Sequence, residues 1–134
     1  MLPTLSKQDL QRIFWLSGST CAGKTTVASA IAETQNWNVY HCDDWEHAQK
    51  INANAKHQPH WYAYSQLTGD ELWLRPVDQH VSEALVAYDE QFALILADLA
   101  TLLQKDRRPL LYDGYVAPAQ LVSRKVAQLD IVRK

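Results

Sequence analysis

Eight consecutive residues, Gly18-Ser19-Thr20-Cys21-Ala22-Gly23-Lys24-Thr25, follow the spacing G-x-x-x-x-G-K-[ST] of a loop that wraps phosphate oxygens. A polyphosphate needs many hydrogen-bond donors in a small concave space. The two glycines permit the sharp turns that aim backbone N–H groups inward. Lys24 supplies a point charge for the outer phosphates, and the Thr25 hydroxyl is a hard oxygen ligand suited to Mg²⁺. With Thr26 at the start of the next helix, the expected phosphate-binding set is Gly18, Ser19, Thr20, Cys21, Ala22, Gly23, Lys24, Thr25 and Thr26. Lys24 would also serve catalysis, by meeting charge on a transferring phosphoryl group. The plain alternative is a glycine turn that binds nothing.

Three carboxylates belong to the same chemistry. Asp43 and Asp44 are expected at the C-terminal end of a second strand. There they can orient a hydroxyl acceptor, take its proton, or hold water on a metal. Alternatively, one caps the following helix and the other is solvated. Which of them faces inward depends on where the strand pleat ends. Asp113, followed by the turn-permitting Gly114, is expected beside Thr25 at the metal, the alternative being an ordinary turn aspartate.

Other candidates are more ambiguous. Arg75, just before Pro76, suits a clamp on an anionic part of the acceptor, or equally a surface ion pair. Arg124, Lys125, Arg133 and Lys134 read as phosphate-reaching cations or as a solvated helix face. Leu85-Val86-Ala87-Tyr88-Asp89-Glu90 has the form of four apolar residues followed by Asp-Glu, an acidic metal motif. Helical periodicity runs through it unbroken and puts Asp89 and Glu90 on a polar helix side instead. His57-x-x-His60 and His41, near Asp43, lack the partners of a zinc site. Trp45, Trp61, Tyr62, Tyr64 and Trp73 form an aromatic-rich stretch that serves either core packing or stacking on a substrate ring.

The elements that must position these groups can be read in outline. Residues 13–16 are a short apolar strand running into the loop, and residues 25–34 are small and apolar at helical spacing. A second strand is expected over residues 37–42, with a helix stop at Asn36. Residues 45–75 read as short helices and a mobile flap. Pro76 then opens the clearest helix, with Val77, Val81, Leu85, Tyr88, Phe92, Ile95, Leu99 and Leu102 recurring at three- or four-residue steps and basic residues near its end. Residues 110–112 are a third strand, 119–128 a helix, and 129–132 the start of a fourth strand. This alternation predicts an α/β fold with a parallel sheet. In such sheets ligands bind outside the carboxyl ends of the strands, the edge where the loop and all three aspartates are expected.

At 134 residues and 47% apolar content, one domain with a real core is expected. Thirteen basic against fifteen acidic side chains give net charge −2, which argues against general affinity for nucleic acid or anionic lipid. The first residues lack the apolar stretch of a signal peptide, and no segment nears the roughly 18 apolar residues of a membrane span. A cytoplasmic protein with reduced Cys21 and Cys42 is the expectation. Nothing in the composition indicates an oligomeric state.

The chain resembles the P-loop kinases of small molecules, the group that holds adenylate, shikimate and nucleoside kinases. Three motifs carry the resemblance: residues 18–25, Asp43-Asp44, and Asp113-Gly114-Tyr115, which is similar to the Asp-Gly-aromatic step of adenylate kinases. A closer likeness is to uncharacterised bacterial P-loop proteins with Tyr-His-x-Asp-Asp and Asp-Glu-Leu-Trp-Leu-Arg-Pro segments, here residues 40–44 and 70–76. It spans residues 12 to 122. The resemblance implies a three-layer P-loop NTPase fold, ATP and Mg²⁺ as cofactors, and a small hydroxylated metabolite as acceptor. Such kinases carry five parallel strands and an arginine-bearing lid, whereas this sequence reaches three to four strands and offers no lid arginine by motif. Two functions therefore stay open: a Mg-ATP-dependent phosphotransferase, or a nucleotide-binding protein without efficient turnover. A regulatory GTPase is disfavoured, since no Asn-Lys-x-Asp or Asp-x-x-Gly segment is present.

Overall fold

The computed structural model describes residues 5–17 and 23–115. Residues 18–22 of the phosphate-loop motif, the helix and strand expected over 119–132, and Arg124, Lys125, Arg133 and Lys134 lie outside the described residues.

Helix α1 (Lys7–Gln11) is set by a reciprocal cap, in which the Ser6 hydroxyl accepts from the Asp9 N–H and the Asp9 carboxylate accepts from the Ser6 N–H, both at 3.0 Å. Strand β1 (Ile13–Ser17) follows at once, and then α2 (Lys24–Gln35). Asn36 ends α2 in the left-handed conformation at φ 56°, as a helix C-terminus favours. Strand β2 (Asn38–His41) runs without a linker into α3 (Cys42–Ile51). Helices α4 (Pro59–Ser65) and α5 (Gly69–Trp73) are short, α6 (Val77–Lys105) is 29 residues long, and β3 (Leu110–Gly114) closes the described chain.

The described strands form one parallel sheet in the order β1-β3-β2, so the last strand in sequence lies in the middle. The protein is therefore an α/β fold with a small parallel sheet. Parallel register sets side chains of paired residues on one face. Trp15, Tyr112 and Tyr40 pair in this way, with ring centroids 4.9 Å and 5.8 Å apart. On that face the Tyr40 hydroxyl donates to Asp98 of α6 at 3.0 Å, and Ile95, Leu99 and Leu103 of the same helix are buried. Each such aliphatic side chain contributes about 1.5–3 kcal/mol by leaving water. Leu16, Asp113 and His41 share the other face, against which α2 packs through the buried Ala28 and Ala32.

The chain divides into two compact units. One comprises residues 1–44 and 95–134 and holds the sheet; the other is Trp45–Leu94. Within the second, Trp61 is fully buried and stacks on Tyr64, which meets Tyr88 edge-on. A buried amide pair joins Gln91 Nε2 to Gln49 Oε1 at 2.8 Å. Residues 45–75, expected as short helices and a flap, carry α4, α5 and most of α3 and pack with residues 76–94. The acidic segment at 85–90 lies inside α6, as its periodicity predicts. Glu90 is not simply solvated, however: it accepts from the Trp61 N–H at 2.7 Å and meets His60 Nδ1 at 2.6 Å. It thereby satisfies a first-turn donor of α4.

The apolar stripe of α6 is covered only in its second half. Phe92, Ile95 and Leu99 are buried, but Val77, Val81 and Leu85 are more than half exposed. Among the described residues no helix is long and apolar enough to cross a membrane.

Candidate functional site

The three strands run in one direction, so their C-terminal ends, Ser17, His41 and Gly114, share an edge of the sheet. A cavity of about 290 Å³ opens there within the first unit, lined by Gly23, Lys24, Thr25, Thr26, Asp43, Asp113, Gly114 and Tyr115. Every described member of the expected phosphate-binding set is on this wall. Its size is near the lower limit of small-molecule sites.

Gly23 caps α2 with φ 85°, a left-handed turn open to glycine without strain. Gly23 has no side chain with which to cap this helix, and the first-turn N–H groups of a helix have no carbonyl partner within it. They therefore point at the cavity with the positive end of the helix dipole, an arrangement suited to an anion.

Behind them lies a carboxylate. Asp113 is only 4% exposed, and its Oδ2 is met by the Thr25 hydroxyl at 3.1 Å and by His41 Nδ1 at 2.8 Å. An ionised carboxylate only accepts, so both neighbours donate: Thr25 through Oγ1–H and His41 through Nδ1–H. Thr25 and Asp113, 88 residues apart in the chain, are thus brought together. Gly114 closes the floor. A Cβ there would collide with the Tyr112 ring and lie 2.9 Å from Cys42 Cβ.

Asp43 and Asp44 do not end a strand. The expected boundary at residue 42 is corrected by one residue, since β2 stops at His41 and α3 begins at Cys42. Both aspartates therefore occupy the first turn of a helix, where negative charge is favoured. Consecutive helical residues point about 100° apart, and that rotation replaces the strand pleat as the deciding factor. Asp43 lines the cavity, while Asp44 is exposed and is not among the lining residues.

Arg75 belongs to the second unit. Its Nη1 pairs with Glu83, its Nε reaches the Leu72 carbonyl at 3.5 Å, and its guanidinium lies 5.9 Å from the centre of the Tyr64 ring.

The sequence names His41 as a zinc candidate and as the histidine of the Tyr-His-x-Asp-Asp segment, but not its partner, which is Asp113 on the neighbouring strand. Two signals point to this pairing: the position of His41 at the end of a strand entering the site edge, and its rank as fourth residue of β2, which matches Asp113 as fourth residue of β3.

Among the described residues no group of three or more His, Cys, Asp or Glu side chains is placed to hold a metal. The oxygen donors that converge are Thr25 and Asp113. This small set is the kind that suits Mg²⁺, which keeps several waters and takes its remaining ligands from one or two protein oxygens and the phosphates themselves.

No protein-family model matches the chain, and neither does any curated protein or solved structure against which it was compared. The chemistry of the site has to be read from its own residues.

Proposed function

We propose that the chain is a P-loop phosphotransferase that binds Mg²⁺ and ATP through residues 18–26 and phosphorylates a hydroxyl of a small metabolite. The observation that carries this is the Thr25–Asp113 contact at the head of α2, beside Lys24 and at the carboxyl edge of a parallel sheet. The G-x-x-x-x-G-K-T spacing demands such a neighbourhood if it is to cradle phosphates, and a random glycine turn does not.

In this reading the first-turn N–H groups of α2 and the Lys24 ammonium take the β- and γ-phosphates. Thr25 and Asp113 hold the cation, whose chemistry is to neutralise charge on the phosphate oxygens. Asp43, exposed in the cavity lining, accepts the proton of the acceptor hydroxyl as its oxygen bonds to the γ-phosphorus. The bond from phosphorus to the bridging oxygen breaks, and ADP leaves with that electron pair. Asp44, one helical step away, stands as the alternative proton acceptor. Arg75 is kept for an anionic acceptor only if Glu83 releases its guanidinium.

Titration calorimetry with Mg·ATP tests the binding half. Wild type is expected to bind, and Lys24→Ala to bind about 10- to 100-fold more weakly, as the loss of hydrogen bonds to a charged group costs about 1.5–3 kcal/mol. Equal affinities would remove the phosphate-loop assignment. ADP release, screened over nucleosides, sugars and small hydroxy acids, tests the transfer half. Binding without stimulated release by any acceptor class would leave a nucleotide-binding protein in place of a kinase.

A further inference from the structure

We infer that His41 is a positioning residue for the cation end of the cavity: its Nδ1–H fixes the Asp113 carboxylate so that Thr25 keeps its lone pairs for a divalent ion. This rests on the nucleotide reading above. It assigns a role to the histidine of the Tyr-His-x-Asp-Asp segment, to which the phosphate-loop motif itself gives none.

The argument starts from the valence of the hydroxyl. Thr25 has one hydrogen to give and two lone pairs, and a cation needs a lone pair. The hydrogen must therefore be committed elsewhere, and it is committed to Asp113 Oδ2. That arrangement is useful only if Oδ2 stays where it is. A terminal carboxylate turns over a broad, two-fold torsional profile, so one hydrogen bond from a rotating hydroxyl does not settle which oxygen faces Thr25. A second donor on the same oxygen does. His41 supplies it at 2.8 Å, the shorter of the two contacts.

His41 can do this because the backbone holds it there. It pairs with Asp113 in the β2–β3 register, so the two side chains leave adjacent strands on one face. Both donors converge on Oδ2, and Oδ1 remains for the cation or a water on it. Burial sharpens the requirement, because a carboxylate 4% exposed needs donors from the protein. Outer groups of this kind orient the groups that touch a metal, and losing one typically costs 10–100-fold in metal affinity.

The test compares ATP affinity with Mg²⁺ and with EDTA in wild type, His41→Ala and His41→Asn. His41→Ala should weaken Mg·ATP binding about tenfold and metal-free ATP less than about twofold. His41→Asn, whose Nδ2–H₂ can donate to Asp113, should recover most of the loss. A merely structural role would lower both affinities together. Equal losses with and without Mg²⁺, or an Asn variant no better than Ala, would overturn the positioning role alone. Wild type that fails to bind ATP under either condition would instead overturn the nucleotide reading and the cation role with it. A long-range ¹H–¹⁵N spectrum of the protein without nucleotide gives an independent readout. The His41 ring should carry its hydrogen on Nδ1, and a ring protonated only at Nε2 would refute the donor assignment.

Discussion

At Gly23 the backbone turns through φ 85° with open space where a Cβ would stand, while at Gly114 the backbone is ordinary and the space is filled by Tyr112 and Cys42. The two glycines should therefore fail differently. Gly23→Ala is expected to lose about 1–2 kcal/mol in urea unfolding through the dihedral alone, with no partner able to relieve it. Gly114→Ala is expected to lose about 1–3 kcal/mol through overpacking, and pairing it with Tyr112→Phe should return part of that loss, because the phenol oxygen is the atom nearest the new Cβ. An additive double mutant would refute the steric account. That Lys24, Thr25 and Asp113 meet at one cavity was legible in the sequence, from a local motif spacing and a carboxylate at a strand end. The partner of His41 was not, since it is fixed by register between strands 72 residues apart.

The same contrast between local and distant causes governs the elements. Helix α6 could be read to its ends, from Pro76 through a 3.6-residue period to the basic close, because each of those signals lies within the helix. What holds its last turn could not. Arg12, at the end of α1, donates to the Asp106 carbonyl just past the helix at 2.7 Å and to the Leu103 carbonyl at 3.4 Å. A cation there also meets the negative end of the helix dipole. Arg12→Ala should cost about 1–2 kcal/mol, with hydrogen exchange accelerating first at residues 103–106, and Arg12→Lys should recover only part, lacking the planar fork. Uniform exchange along α6 would argue against the cap. Boundaries were less readable where two elements abut. No turn residue separates β2 from α3, so nothing in the sequence marks the change from pleat to helix that selects Asp43 over Asp44.

For the whole molecule, ionisation links the fold to pH at both extremes. Burial, reinforced by the nearby Asp98, pushes the Tyr40 phenol well above its ordinary value of 10.0. Its stabilising contribution is complete below pH 10 and is lost as pH rises further, because the unfolded phenol then ionises while the folded one does not. Tyr40→Phe should flatten the alkaline decline by about 1.4 kcal/mol per pH unit above pH 10. An unchanged slope would deny the burial. At the acid end, hydrogen bonds from Arg108 hold Asp106 down to about 2 from 3.8. That contribution is present above pH 4 and is lost as pH falls towards 2. The overall class was readable from alternating elements, but the spatial order of the strands was not, since no local signal says that β3 inserts between β1 and β2. That order has a consequence for synthesis. The first two strands make no ladder with each other and wait for a partner translated far later, on the order of 5–20 s at typical elongation rates. Until residue 110 emerges, β1 and β2 each present unpaired edges to the cell, and the strand that pairs with both is the one that brings Asp113. Assembly of the sheet and assembly of the cavity at its carboxyl edge are therefore a single, late folding event.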